Sequence, residues 1–351
     1  MRKDSRDSVA GSSSPPLLEV ENLSVEIEVP AGRLHAVSNV SFAVRPRETL
    51  SLVGESGCGK TITSLAIMRL LPVKARVTAQ RIVFEGRDLT NASEREMASL
   101  RGNRMGMIFQ DPMTSLNPVY TIGNQLEEVY LRHRGGSRKA ARERAEYLLN
   151  RVGIMSPKMR LGQYPHELSG GLRQRMMIAM TLMCDPTLII ADEPTTALDV
   201  TVQVQILQLL MALQDEFNMA LILIMHNLGV VARMADRLAV MYGGQIVETG
   251  TAVDVFLRPT HPYTRGLLEC LPVSGTGGRN SRLGSIPGIV PSLIGDVTGC
   301  SFRNRCRYAR PQCAAGEIAL RDVTLGHFYR CIHDPATLQA DDRLRLAEAS
   351  V

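Results

Sequence analysis

The sequence predicts an α/β protein in which an antiparallel sheet precedes an α/β core. Three apolar runs, "ETLSLVG" (48–54), "TLIIAD" (187–192) and "ALILIMH" (220–226), have the length of buried strands. The first two of these runs lead into helical patterns. Ahead of them, residues 17–29 and 36–44 alternate apolar and polar side chains, as the strands of a half-buried antiparallel sheet do.

Composition excludes several classes of protein. The 351 residues are 44% hydrophobic, which is enough for about two domains with real cores. The longest clean apolar run, "MALILIM" (219–225), is far shorter than the roughly 18 residues of a membrane-spanning helix. A net charge of +5 is mild, and the charges of "RHRGGSRKAARERAE" (132–146) alternate in sign, so we expect a solvated helix there and no nucleic-acid surface.

The chain divides into four regions by pattern. Residues 1–16 lack the hydrophobic centre of a secretory signal, and their Ser, Pro and mixed charges predict a flexible tail. We expect a main domain over 17–258, with a helical subdomain at about 111–186, and a separate C-terminal extension over 259–351. After the second buried strand, one helix face should carry the apolar residues Val202, Ile206, Leu209, Leu213 and Phe217.

The stretch "GESGCGKT" (54–61) fits the phosphate-loop pattern G-x-x-x-x-G-K-[ST], and it lies between a strand and a helix as that motif requires. Its glycines let the backbone N–H groups surround a β-phosphate. Lys60 should reach the β- and γ-phosphates, and Thr61 should supply an oxygen to Mg²⁺. We therefore expect a nucleoside triphosphate to bind the loop residues Gly54, Glu55, Ser56, Gly57, Cys58, Gly59, Lys60 and Thr61.

Polar side chains stand at the ends of the neighbouring predicted strands. In "LIIADEP" (188–194), Asp192 is placed to hold Mg²⁺ through water. Glu193, one residue on, should point to the opposite face of the strand and polarise an attacking water. Gln110 and His226 end two further strands, and each could face the γ-phosphate. Adjacent Asp and Glu favour hydrolysis, and the chain has no N-K-x-D motif for reading guanine.

Five motifs together resemble an ABC transporter ATPase. They are the loop at 54–61, Gln110, "LSGG" at 168–171, "ADEPTTALD" at 191–199 and His226, in the family's order and approximate spacing over about residues 17–258. The resemblance implies a P-loop NTPase fold of the ABC type. That fold has a RecA-like α/β core, an antiparallel β-subdomain and a helical subdomain.

The resemblance also implies roles for single residues. Gln110 would link Mg²⁺ to the membrane partner, and Glu193 would be the catalytic carboxylate. Asp199 would be the acid of the D-loop, and His226 would sense the γ-phosphate. In this family two ATPase subunits pack head to tail, so the signature residues of one subunit would contact ATP bound by the other. In this chain the signature residues are Ser169, Gly170 and Gly171.

Within the family, the chain is most similar to dipeptide and oligopeptide import ATPases, a group that includes nickel importers. The segments that carry this likeness are "FQDPMTSLNPVYTIGNQL" (109–126), "YPHELSGG" (164–171), "HPYTRGLL" (261–268) and "GCSFRNRCRYARPQC" (299–313). The resemblance implies an ATP-hydrolysing subunit, peripheral on the cytoplasmic face of the inner membrane. It also implies a second, different ATPase chain, two permease subunits and a periplasmic or extracellular solute-binding protein.

Two alternatives to peptide import remain at this point. The same ATPase role could serve nickel or another solute, because the ATPase does not touch the cargo. A soluble ABC ATPase acting on nucleic acid is disfavoured, because the stretch between Gln110 and Ser169 is too short for a long coiled-coil insertion. The single set of ATPase motifs also argues against two-cassette translation factors.

Four cysteines lie in the last quarter of the chain, with gaps of five, six and seventeen residues between them: Cys300, Cys306, Cys313 and Cys331. This spacing fits zinc ribbons and fingers poorly, since those use close pairs. Four thiolates can hold a 4Fe–4S cluster at irregular spacing, and the family resemblance points the same way. We expect a structural 4Fe–4S cluster here, with zinc or no metal as the alternatives.

Overall fold

The computed structural model describes residues 15–196, 199–271, 285–291, 293–295 and 298–338. Nearly all of the predicted tail (1–16) and parts of the Gly- and Pro-rich stretch at 272–299 lie outside the described residues. The strands are β1 (Leu18–Val29), β2 (Gly32–Val44), β3 (Thr49–Val53), β4 (Ala75–Thr78), β5 (Arg81–Phe84), β6 (Arg87–Asp88), β7 (Met105–Ile108), β8 (Leu188–Asp192), β9 (Ala220–Met225), β10 (Arg237–Tyr242), β11 (Gln245–Thr251), β12 (Arg321–Thr324) and β13 (His327–Tyr329).

Helices fill the connections between the strands. The α-helices are α1 (Lys60–Ile67), α2 (Glu94–Leu100), α3 (Pro112–Ser115), α4 (Ile122–Arg134), α5 (Arg138–Arg151), α6 (Pro157–Arg160), α7 (Gly170–Thr181), α8 (Val200–Phe217), α9 (Leu228–Val231), α10 (Ala252–Leu257) and α11 (Pro262–Glu269). Short 3₁₀ turns lie at Pro165–Glu167, Arg303–Arg305 and Pro311–Ala314. In the described ranges, no helix is both long and apolar enough to cross a membrane.

The larger sheet has the strand order β12-β13-β11-β10-β3-β9-β8-β7, and the strands from β10 to β7 run parallel. Strands β3, β8 and β9 are buried along their whole length, as expected for a parallel sheet covered on both faces. Their side chains alternate between two cores. Ile189 and Leu221 face one core, whereas Ile190 and Ile222 face the other.

The antiparallel sheet that the sequence predicts is also present. Its order is β2-β1-β5-β6, and β4 pairs with β1 beside β5. The second strand begins at Gly32 and not at 36 as predicted, because Val29 and Gly32 pair directly at the end of a hairpin. This sheet packs its buried residues, such as Val20 and Phe84, on the core that also holds Ile190 and Ile222.

The predicted helical segment, 122–185, is confirmed by α4 to α7. Each long helix begins at a hydroxyl side chain that accepts a hydrogen bond from a backbone N–H of the first turn, which satisfies one of the unpaired donors there. These capping residues are Thr121, Ser137 and Ser169. The helices share one apolar core with the larger sheet, so this segment packs directly on the sheet that carries the site.

Helix α8 buries a somewhat different face from the predicted one. Ile206 and Leu213 are buried as predicted, but Leu210 is also fully buried. Val202, Leu209 and Phe217 are only partly buried at the margin of that face. The helix pattern alone did not show that Leu207 and Leu210 join Ile206 and Leu213 in the apolar core that α8 shares with the larger sheet.

The C-terminal extension is not separate from the main domain. Its hairpin, β12 and β13, continues the larger sheet, with Tyr329 opposite Glu248 and Phe328 opposite Thr249 of β11. The backbone N–H of Arg330 also donates to the carbonyl of Val247 at 2.8 Å. This pairing covers the edge of β11, whose backbone groups would otherwise be left exposed.

Candidate active site

The phosphate loop joins β3 to α1 and depends on glycine at two positions. Gly59 caps α1 with a φ of 101°, which side chains disfavour, and a Cβ there would lie 2.6 Å from the carbonyl oxygen of Ala36. A Cβ at Gly54 would lie 2.2 Å from the carbonyl oxygen of Met241. The loop can therefore take this path only because both residues lack a side chain.

Lys60 is the cation of the loop. Its side chain is buried, and its Nζ donates to the carbonyl oxygens of Gly54 and Glu55 at 2.8 and 2.9 Å. The loop thus curls around the ammonium group, at the start of a helix whose first N–H groups also favour an anion. Cys58 lies beside it, with its Sγ 3.6 Å from Nζ, and burial raises the pKa of this thiol.

Thr61, which is half-buried, and Asp192, which is buried, form a pair of oxygen donors. The Thr61 hydroxyl donates to Asp192 Oδ1 at 3.0 Å, which brings the start of α1 to the end of β8. Burial raises the pKa of Asp192, and the charge of Glu193 raises it further against the effect of the Thr61 hydrogen bond. A carboxylate next to a hydroxyl oxygen has the oxygen-donor chemistry that Mg²⁺ prefers, and a bound cation would favour the ionised form of Asp192.

Glu193 stands at the centre of the site. Its Oε2 accepts a hydrogen bond from Gln110 Nε2 at 3.0 Å, and His226 Nδ1 lies 3.6 Å from the same oxygen. The structure thus brings together three of the residues that the sequence placed at strand ends, after β7, β8 and β9. Such an edge is where open α/β sheets bind ligands.

The sequence predicted that strand alternation would set the direction of the Glu193 side chain. That prediction is wrong. Asp192 is the last residue of β8, and Glu193 has left-handed backbone geometry, with φ at 42°. Its N–H donates to the carbonyl of Ile224 at 3.0 Å, which holds this turn against β9. A non-glycine residue in this conformation costs free energy, and such strain is common at functional sites.

Thr196 also belongs to the site, although the sequence did not lead us to predict it. Its hydroxyl donates to Glu193 Oε2 at 2.8 Å and so completes the contacts of that oxygen. The available signal was a hydroxyl residue three positions after the acid in "ADEPTTALD".

The signature residues lie elsewhere on the chain, at the start of α7. Ser169 caps this helix, because its hydroxyl accepts from the N–H of Leu172 at 3.4 Å. Leu172 itself is partly buried against the apolar core. Gly170 and Gly171 are the first two helical residues, so their N–H groups lie at the positive end of a 12-residue helix.

Asp199 lies close to the signature residues, at the start of α8. Its Oδ1 accepts from the N–H of Val202 at 3.0 Å and caps the helix. A Cβ at Gly171 would lie 3.4 Å from Val202 Cγ1, so the starts of α7 and α8 are in contact. In the described part of the chain, no hydrogen bond or ion pair joins Ser169, Gly170 or Gly171 to the phosphate loop.

The four C-terminal cysteines do not fit the predicted metal cluster. Among the residues that the structure describes, which include all four, no group of three or more Cys, His, Asp or Glu side chains is placed to hold a metal ion. Cys300 and Cys313 are joined by a backbone hydrogen bond of 2.7 Å. Burial, with a contribution from the neighbouring thiols Cys300, Cys331 and Cys313, raises the pKa of Cys306 to about 12. Neither the 4Fe–4S cluster nor zinc is supported.

Two known protein families match this chain. Residues 37–196 match the family described as ABC transporter. Residues 247–313 match the family described as the C-terminal region of oligopeptide/dipeptide transporters.

Individual proteins give the same result over most of the chain. A protein of Brucella melitensis named as a peptide import ATP-binding protein is 50% identical over 330 residues, which cover 91% of this chain and 98% of that protein. The dipeptide transport ATP-binding protein DppD of Escherichia coli K12 is 49% identical over 315 residues, covering 90% and 96%. A solved dimeric bacterial ABC transporter cassette, MJ0796, is 25% identical with a TM-score of 0.59 and covers 67% of this chain and 98% of that one.

Proposed function

The chain belongs to the ABC transporter ATPase family and hydrolyses ATP, and we propose that it does so as a subunit of an importer of dipeptides or oligopeptides. The assignment of ATP hydrolysis rests on one observation. Gln110 and His226 both lie close to the carboxylate of Glu193, beside a phosphate loop. The cargo is supported by relatives of about half identity that are named for peptide import, and by the match at 247–313.

ATP binds through its phosphates to the loop at 54–61 in this proposal. Lys60 turns from the carbonyl oxygens of Gly54 and Glu55 to the β- and γ-phosphates, because these carry full negative charge. Thr61, Asp192 and Gln110 are the residues that would hold Mg²⁺, which supplies positive charge against the phosphate oxygens.

Glu193 is the proposed catalytic carboxylate. It accepts the proton of the attacking water, while Gln110 and Thr196 hold its Oε2 in place. His226, 3.6 Å from that oxygen, contacts the γ-phosphate and reports its presence. Because Gln110, Thr196 and His226 all lie close to the same oxygen, a substitution at any of them should alter the position of the Glu193 carboxylate.

In this proposal, the ATP site of a second subunit is completed by Ser169, Gly170 and Gly171. Asp199 lies beside them, at the contact between the two subunits. The positive start of α7 suits a phosphate, and the same three residues have no polar link to the phosphate loop of their own chain in the described ranges. That the related bacterial cassette is dimeric supports this arrangement.

The assembly that we propose has a second, different ATPase chain, two permease subunits and an external solute-binding protein. This chain is then peripheral, on the cytoplasmic face of the inner membrane, and reaches the membrane through the permeases. No nucleic acid takes part.

The catalytic assignment is tested by Glu193→Gln in the assembled transporter. The amide keeps the size of the side chain but cannot accept the proton, so we expect ATP hydrolysis to fall at least about 100-fold with ATP binding unchanged. Glu143→Gln is the matched control, because Glu143 is an exposed residue of α5 far from the site in sequence. Normal hydrolysis by Glu193→Gln would show that another residue is the base.

The cargo is tested separately, by uptake into vesicles that contain the whole importer. Radiolabelled dipeptides should enter in an ATP-dependent manner. Uptake of nickel with no uptake of peptides would contradict the peptide proposal and leave the ATPase assignment standing.

A further inference from the structure

The C-terminal extension contacts the phosphate loop at Glu55, the second residue of the loop at 54–61. Arg305 donates from Nη1 to Glu55 Oε2 at 2.6 Å and from Nη2 to Glu55 Oε1 at 3.0 Å. The two residues are 250 positions apart in the chain. A two-pronged pair of this kind fixes both the position and the orientation of the carboxylate.

Arg305 is itself held rigidly. Its side chain is only 4% exposed, and its Nε donates to the carbonyl of Pro287 at 2.8 Å. Nη2 also donates to the carbonyl of Ile286 at 3.2 Å, and Nη1 lies 3.5 Å from the Tyr242 hydroxyl. Every N–H group of the guanidinium therefore has a partner, so Glu55 is tied to a fixed point of the fold.

A second contact holds the backbone of the same loop residue. The N–H of Glu55 donates to the hydroxyl of Tyr263 in α11 at 2.9 Å. Tyr263 is fully buried, and its ring packs on those of Tyr242 and Phe302 at centroid distances of 4.6 and 5.3 Å. The C-terminal region thus grips both the backbone and the side chain of Glu55.

The charge of Glu55 makes this grip relevant to ATP. An unpaired carboxylate in the loop would repel the phosphates that Lys60 attracts, and at this degree of burial water screens the repulsion only in part. We propose that Arg305 is a positioning residue for ATP: through Glu55 it holds the phosphate loop in its binding shape and offsets the negative charge beside the phosphates. The inference rests on the ATP binding stated above.

A double-mutant cycle on the full chain in its assembled transporter tests this inference, with MgATP as the ligand. Arg305→Met should raise the KM for ATP about tenfold while kcat stays within about twofold, because the loss is in binding. In a Glu55→Gln background, the same change at Arg305 should alter KM by less than about twofold. Arg307→Met is the matched control, since Arg307 pairs with Glu269 at the surface, and its KM should match the wild type.

Two results would overturn the inference: an unchanged KM in Arg305→Met, or an equal rise in KM with and without Glu55. If Arg305→Met does not fold, Arg305→Lys decides the question, because lysine keeps the charge but cannot make the fork. It should raise KM about threefold, an increase that Glu55→Gln removes, and a wild-type KM would refute the proposal. Failure of the wild-type chain to bind MgATP would instead contradict the proposed function.

Discussion

Gly59 and Glu193 are the residues whose backbone conformation the site depends on most directly. Both have positive φ, but for different reasons. Gly59 turns the loop into α1 where the carbonyl of Ala36 leaves no room for a side chain. Glu193 follows β8 in a strained turn that brings its carboxylate to the side chains of Gln110 and His226.

Gly59→Ala should abolish ATP binding. The added Cβ would lie 2.6 Å from the backbone oxygen of Ala36, so the loop must move away from its phosphate-binding path. We expect the Kd for ATP to rise at least about 100-fold, measured by titration with a fluorescent ATP analogue. Gly86→Ala is the control, because Gly86 also has positive φ but nothing within 4 Å of an added Cβ. An ATP affinity of Gly59→Ala equal to that of Gly86→Ala would contradict the clash at Ala36.

At the level of elements, the "HPYT" segment (261–264) is a structural junction that contacts the phosphate loop through Tyr263. Glu248 of β11 is fully buried and accepts from the N–H groups of Thr260 and His261 at 2.8 Å and from His327 Nε2 at 2.9 Å. Burial by itself would raise the pKa of Glu248, but these hydrogen bonds, that of His327 foremost, hold it below its usual value. One carboxylate thus joins β11, β13 and the start of α11, where Tyr263 reaches the phosphate loop.

The same junction predicts a loss of stability in acid. Burial lowers the pKa of His261 from 6.5 to about 4, so the folded chain resists a proton that the unfolded chain accepts. The contribution of His261 to the free energy of unfolding is therefore fully present above about pH 6.5. It is lost as the pH falls towards 4, and the loss amounts to up to about 3 kcal/mol. Urea unfolding at a series of pH values measures this decline.

His261→Asn separates this effect from other acid-sensitive groups. The Asn oxygen can replace Nδ1, which accepts from the N–H of Tyr263 at 3.0 Å, but the amide does not titrate. The variant should be less stable than the wild type at neutral pH yet lose less stability between pH values of about 6.5 and 4. An identical pH slope in both proteins would contradict the assignment to His261.

In the molecule as a whole, two segments have the chemistry of phosphate-binding sites, the loop at 54–61 and the start of α7. In the described ranges, no hydrogen bond or ion pair joins Ser169, Gly170 or Gly171 to that loop. The loop at 54–61 belongs to the sheet edge, whereas Ser169 to Gly171 begin α7 and pack against α8. In the proposed arrangement, ATP held between two subunits would account for both. The isolated chain should consequently hydrolyse ATP slowly, and assembly with its partner ATPase should raise the rate.

Ser169→Asp tests this arrangement without removing the helix cap. Aspartate caps helices as well as serine does, but its charge would face the γ-phosphate held by the partner subunit. ATP binding by the chain itself should stay within about twofold, while hydrolysis in the assembled transporter should fall about tenfold. Ser137→Asp is the matched control, because Ser137 caps α5 in the same way. Undiminished hydrolysis in Ser169→Asp would exclude the shared site.

Local sequence pattern was sufficient to predict several parts of this fold. The position of the loop at 54–61 between a strand and a helix, the buried strands and the helical segment are as predicted, since glycine positions and apolar runs act within a few residues of chain. Strand order was enough to bring Gln110, Glu193 and His226 to one edge. The direction of the Glu193 side chain could not be predicted in this way, because it is set by a left-handed turn that is held against β9, and not by strand alternation.

The C-terminal extension marks the limit of local pattern. Strands β12 and β13 have four and three residues, too few to show a period, and they form because the edge of β11 is there to pair with. The grouping of the four cysteines in the sequence, together with the family resemblance, predicted a metal cluster, but in the described part of the chain no group of three or more Cys, His, Asp or Glu side chains is placed to hold a metal ion. The pairing of Arg305 with Glu55 joins residues 250 positions apart, and only the packing of the extension against the loop brings such distant charges together.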